Sequence, residues 1–335
     1  MHESRFSIQR TAVNYFYKPL HQHVMATLGL RGGDLYAYAE TGGSNLELPD
    51  DAVAMNGTHV SFSENIYPRY DIILCISKFS ATAPLTAHSK IYDFRGATLH
   101  GINDIILASG LSVDYEEVSR DAEKLRRGMT KADKVEIDFC VNEQSATLTL
   151  VLDKQEAQKS HGLCRTAPDI ANLPGGEVYY VPTDAFGTFP LRFDDGTIGM
   201  MGVQQCGIKS AELIQGNQER LDRYLALIEE DPAVGLIGEL GFGTQDLPVS
   251  GQDIQDEKII GTFHVATGRS DHLGGDITLD KFHEHSNASH EDILFSPTNT
   301  PEIKAPQVRL YRDGNYQLVI ENYEPASWMK RLLAK

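Results

Sequence analysis

Lys134-Val135-Glu136-Ile137-Asp138-Phe139-Cys140 alternates apolar with charged side chains, and Leu148-Thr149-Leu150-Val151-Leu152 sets leucines at every second position. A period of two places alternate side chains on opposite faces of a strand, and one polar face marks an antiparallel sheet. Turn signals at Asp195-Gly196 and Asp313-Gly314 continue this style to the C-terminus. One helix interrupts it: Leu221, Tyr224, Leu225 and Ile228 share a face, and Asp231-Pro232 ends the run. Upstream the pattern differs. Residues 8–28 fit an amphipathic helix broken by Arg31-Gly32-Gly33, and Leu35 to Ala39 fits a short strand. Ile72-Ile73-Leu74-Cys75-Ile76 is a continuous apolar run, as in a strand buried on both faces. Asp114 with Glu117 forms a capping-box signal for a helix running to about Gly128. The expected fold class is therefore α/β plus α+β. An N-terminal α/β domain spans 1–132, and a β-rich mixed domain spans 133–335.

The chain has 335 residues, 41% of them hydrophobic and 23% charged, a globular balance. The net charge of −17 repels phosphate backbones and argues against nucleic acid. No apolar run has the length of a membrane span, and MHESRFSIQR lacks the core of a signal peptide. Cys75, Cys140, Cys164 and Cys206 form no Cys-x-x-Cys pair and read as reduced thiols of a cytoplasmic protein.

Five of the twelve histidines fall between Thr262 and Asp292: His264, His272, His283, His285 and His290. If His290-Glu291-Asp292 is extended, His290 and Asp292 project to one face as a pair of metal ligands, and Glu291 points away. His264 sits in an apolar stretch between Gly261 and Gly268, as a core histidine or a ligand. Glu239 ends the strand-like Val234-Gly235-Leu236-Ile237-Gly238, where a carboxylate needs a partner or a cation. Glu177 opens a strand after the turn Pro174-Gly175-Gly176. His283 and His285 lie in a polar run that reads as a solvated loop, with a lid as the alternative.

These stretches, PGGEVYYVP (174–182), GELGFG (238–243), GTFHVATG (261–268) and HED (290–292), resemble in order the motifs of the aminopeptidase T family of metallopeptidases, which includes leucyl aminopeptidase-like proteins. Asp256-Glu257-Lys258-Ile259 before the third motif also fits, and a weaker likeness extends to residues 95–160. The resemblance implies a metallo-aminopeptidase-like hydrolase, cleaving an N-terminal peptide or amide bond. It implies metal ligands Glu177, Glu239, His264, His290 and Asp292 around two divalent ions (zinc, cobalt or manganese), with Glu177 also a candidate catalytic residue. In such a site the ions activate a water that attacks the scissile carbonyl. It further implies a homo-oligomer acting on a peptide or small molecule.

One position departs from the pattern. Seven residues after the third-motif histidine, where the family peptidases carry tyrosine, stands Asp271, followed by His272. An ionised aspartate cannot donate to an oxyanion, so Asp271 and His272 are candidates for a further ligand or a proton shuttle. Ring-cleaving dihydroxypyridine dioxygenases look like shorter relatives of the same fold. By that resemblance, a single iron(II) rests on Glu239, His290 and Asp292. A non-catalytic metal-binding protein is the third reading. If Glu177 and His264 also bind metal, two ions are expected; if they only support the ligands, one.

Overall fold

The computed structural model describes residues 33–334, with the backbone alone of the strand Arg5–Gln9. Beyond Gln9, the helix expected over 8–28 lies outside the described residues. The chain divides into two compact units, Met1–Ser112 with Gly162–Pro174 and Val113–His161 with Gly175–Lys335.

The first unit holds a seven-stranded sheet. Its order is Ile170–Asn172, Arg95–His100, Ile72–Ser77, Arg5–Gln9, Leu35–Tyr38, Asp51–Ala54 and His59–Ser61. The first five pair in parallel and the last two antiparallel. Helix Thr82–Tyr92 makes the crossover between Ile72–Ser77 and Arg95–His100, the connection parallel strands require. Tyr38, Phe62, Tyr67, Ile73 and Phe94 fill its core.

The second unit carries two antiparallel sheets. The larger runs Gly207–Gln215, Ile198–Gln204, Asp184–Arg192, Gln144–Val151, Lys134–Val141, Lys304–Arg312, Asn315–Glu321 and Glu324–Pro325. The alternating stretches pair as read: Val135 faces Leu150, Ile137 faces Leu148, and Phe139 faces Ala146. The smaller sheet runs His290–Phe295, Phe263–Gly268, Ile237–Gly243, Glu177–Tyr180 and Gln158–Ser160. Its apolar side chains Val178, Tyr180, Leu240, Phe242, Phe263, Val265 and Phe295 join those of the larger sheet in one core. The Phe139 ring lies 4.8 Å from Phe295 and 6.1 Å from Phe263, tying the sheets together.

The mixed α/β and β-rich architecture matches the expected class. The division between units does not fall at residue 132. It falls at Ser112, because helix Tyr115–Met129 lays Ala122, Leu125 and Met129 into the second unit's core. Gly162–Pro174 then returns to the first unit, where Ile170–Asn172 extends the parallel sheet. Asp114 caps that helix by accepting from the amide of Glu116 at 2.9 Å. Gly128 does not end it. A Cβ there would lie 2.3 Å from Leu332, so this glycine admits the C-terminal helix Ser327–Leu333.

Phe139 is 1% exposed, and removing its ring would leave a cavity between the two sheets. Phe139→Ala is expected to lower the unfolding free energy by about 3–5 kcal/mol in a denaturant titration. A loss below about 1 kcal/mol would contradict this packing.

Candidate metal centre

The register of the smaller sheet builds the site. Glu177 pairs with Gly243, His264 with Gly241, His290 with Gly268, and Ala266 lies between Glu239 and Asp292. Residues paired across strands share a face, so all five expected ligands stand on one side and the Phe-rich core on the other. Each meets glycine or alanine on one neighbouring strand, which leaves room for its head group, although His264 also faces Leu294 and Glu177 also faces Ser160. The need for glycine is tight at Gly241: a Cβ there would come within 2.1–2.3 Å of the His264 ring.

Glu177, Glu239, His264 and His290 are buried, whereas the Asp292 side chain is 25% exposed and forms the open rim. His264 Nε2 lies 3.4 Å from Glu239 Oε1, 3.7 Å from Asp292 Oδ1 and 3.8 Å from Glu177 Oε2. His290 Nε2 lies 3.0 Å from Glu239 Oε2 and 3.3 Å from Asp292 Oδ1. Its Nδ1–H donates to the Arg269 carbonyl at 2.6 Å. That bond sets the tautomer, so a neutral His290 presents a lone pair at Nε2. A lone pair facing two carboxylates is repulsive. The arrangement is stable only with a proton on Nε2 or with a cation in its place.

The ligand atoms fall into three groups within which they lie no more than 4.8 Å apart: Glu177–Glu239–His264, Glu239–His290–Asp292 and Glu257–His264–Asp292. Convergent carboxylate oxygens and an oriented imidazole nitrogen suit a divalent ion of the iron, manganese, cobalt or zinc type. Of the residues expected to bind metal, the structure brings all five together.

Two further charged residues enter the cluster that were singled out only as part of a motif. Lys258 is fully buried, and its Nζ donates to Glu177 Oε1 at 2.7 Å and to Glu257 Oε1. Burial opposes the lysine's charge, but Glu177 and Glu257 more than offset it and hold its pKa above the ordinary value. Burial, with Asp292 and Glu177 nearby, pushes the Glu257 pKa well up against the opposing pull of Lys258.

Asp271 does not reach this cluster as a donor. Arg269 grips its carboxylate from Nε at 2.8 Å and from Nη2 at 3.1 Å. Burial would raise its pKa, yet His272 and Arg269 hold it below the usual carboxylate range. His272 packs edge-on against the His290 ring, centroids 5.0 Å apart. Burial lowers its pKa. The His283–His285 loop is tied elsewhere. His283 Nδ1 donates to the Glu230 carbonyl at 2.7 Å, and Asn287 donates to Asp231 at 3.1 Å, at the end of helix Gln218–Glu230.

No protein-family model matches the chain, and no curated protein matches it either. Four solved chains do. One is 2,5-dihydroxypyridine dioxygenase from Pseudomonas putida KT2440, at 13% identity, covering 97% of this chain and 92% of that one, with a TM-score of 0.66. At that identity the likeness shows a shared fold. The peptidase resemblance rests on the four motifs alone.

In the metal-free chain the cluster makes stability depend on pH. Burial lowers the His264 pKa, but the hydrogen bond to Glu239 and the charges of Asp292 and Glu239 outweigh it and raise it to about 10. A raised histidine pKa stabilises fully below its ordinary 6.5, and the contribution is lost as pH rises through about 10. Glu239, burial notwithstanding, is held below its ordinary 4.5 by His264 and His290, so its contribution is lost as pH falls below 4.5. The melting temperature of chelator-treated protein is therefore expected to peak between these limits and to fall toward pH 10. An unchanged value from pH 6.5 to pH 10 would contradict the His264 pairing. Gly241→Ala is expected to displace the His264 ring, seen as a shift of its imidazole NMR signals, at a stability cost of about 1–3 kcal/mol. Unmoved signals would mean that the close approach is absent.

Proposed function

We propose that the chain is a metal-dependent oxygenase that opens the ring of a hydroxylated aromatic or N-heteroaromatic substrate, with one iron(II) on Glu239, His290 and Asp292. The carrying observation is His290 Nε2, oriented by its bond to the Arg269 carbonyl and set 3.0 and 3.3 Å from two carboxylates. Three protein ligands beside an exposed rim leave positions for O₂ and a chelating substrate. The fold likeness to a dioxygenase over 97% of the chain supports oxygenase over peptidase. So does Asp271: held by Arg269, it stands where a peptidase of the resembling family carries its tyrosine donor.

Bound iron supplies a redox-active Lewis acid that brings O₂ and a ring hydroxyl together. The chain's own groups do the rest. Glu239 and Asp292 supply negative charge that offsets the ion. His290 is aimed by Arg269 and backed by His272. His264, with Nε2 3.4–3.8 Å from Glu239, Asp292 and Glu177, would carry a proton beside the ligands and so serve as general acid or base.

A specific observation keeps metal-dependent hydrolysis as the second reading. Glu239 belongs both to the group with Glu177 and His264 and to the group with His290 and Asp292, as a carboxylate bridging two ions would.

The test loads the protein with iron(II) without oxygen, then offers 2,5-dihydroxypyridine or dihydroxybenzenes in an oxygen electrode. The expected result is O₂ uptake matched by loss of ring absorbance. His290→Ala and Glu239→Ala should lower turnover by at least about 10³-fold and lose the metal, while circular dichroism stays unchanged. Full turnover in either variant would remove the site assignment. Cleavage of aminoacyl amides by the zinc- or manganese-loaded protein, with no ring opening, would favour the second reading.

A further inference from the structure

We propose that Lys258 is a built-in cation that occupies Glu177 and limits this cluster to a single divalent ion. The inference rests on the metal-site reading above and deepens it by naming what sets the number of ions.

Four carboxylates, Glu177, Glu239, Glu257 and Asp292, gather around His264 and His290. Two of the ligand groups, Glu177–Glu239–His264 and Glu239–His290–Asp292, could each take a divalent ion. Glu177 is one of the ligands a second ion would need, with Glu239 and His264. Its Oε1 is taken by the Lys258 ammonium at 2.7 Å. An ion bound to Glu177 would share that carboxylate with a fully buried positive charge, in a pocket where water does little to screen them.

The lysine is fixed from several sides. The Asp256 carboxylate accepts from Ser250 N at 2.7 Å, Ser250 Oγ at 2.8 Å and Gly251 N at 3.0 Å, which closes the loop before it. Gln245 N donates to the Lys258 carbonyl at 2.9 Å. Gly243, paired with Glu177, leaves space for the 258–259 backbone to lie on the sheet; a Cβ there would stand 2.7 Å from the Lys258 carbonyl carbon and 2.1 Å from Ile259 O. Glu257 Oε1 takes the same ammonium. The cation is thus held by two carboxylates and cannot swing out to solvent without leaving both unpaired.

The experiment counts ions by titrating redox-silent manganese(II) into chelator-treated protein, using calorimetry and elemental analysis after desalting. The wild type is expected to hold about one ion per chain. Lys258→Met, close in size and uncharged, is expected to hold about two, and Lys258→Met/Glu177→Gln to return to about one. Lys258→Arg, which keeps the charge, should stay at about one. A folded Lys258→Met protein that still holds about one ion would overturn the proposal, as would a wild type that holds two. If Lys258→Met does not fold, the wild type decides. Electron paramagnetic resonance at excess manganese should show isolated ions only, and an exchange-coupled pair would overturn the proposal. Ion counts rising from one to two without any ring cleavage would uphold the role of Lys258 while removing the oxygenase reading. A wild type that binds no ion would remove both.

Discussion

Burying carboxylates against one another is the constraint that shapes this protein. Glu177, Glu239 and Asp292 line one face of a small sheet with Glu257 beside them, and three of the four are almost entirely shielded from water. Charges of one sign in such a place persist only beside cations or with bound protons. The chain answers with Lys258, with two imidazoles, and, in our reading, with a metal ion. Protons on His264 and His290 serve the same purpose in the metal-free protein. In that reading metal uptake would replace protons by a dication and would be coupled to pH.

The sheet makes that crowding possible. One face supplies Phe242, Phe263, Val265 and Phe295 to the core that joins both sheets of the second unit. The opposite face places glycine or alanine on one side of every candidate ligand. Packing on one side gives the rigidity that positions ligands well, and small residues on the other give the space. The same logic explains Gly243, whose missing side chain lets the Lys258 backbone come near.

Much of this was legible in the sequence because strands write their faces into a two-residue period. Val135, Ile137 and Phe139 announced the larger sheet, and His290 with Asp292 at i and i+2 announced the pair on its strand. Glu239 and His264 were recognisable by the glycines around them. Other features carried no local signal. Lys258 reads as one charge in a polar run, since nothing in Asp256-Glu257-Lys258 says that the ammonium is buried. The return of Ile170–Asn172 to the first unit depends on a pairing with Arg95–His100, far away in the chain. Helix Tyr115–Met129 looked like part of the first α/β layer. Its partners are strands that come after it in the chain, so only tertiary packing assigns it to the second unit. Nothing in Arg269-Ser270-Asp271 says that the arginine folds back to hold the carboxylate two residues on.

The central claim is that one divalent ion sits on Glu239, His290 and Asp292, with Lys258 standing in for a second. Anomalous diffraction at the iron edge, from crystals grown without oxygen in the presence of iron(II), tests it most directly. A single peak bonded to those three side chains is expected, with the Lys258 ammonium still on Glu177. A second peak on Glu177 and His264, or no peak and two protonated imidazoles among the carboxylates, would contradict it.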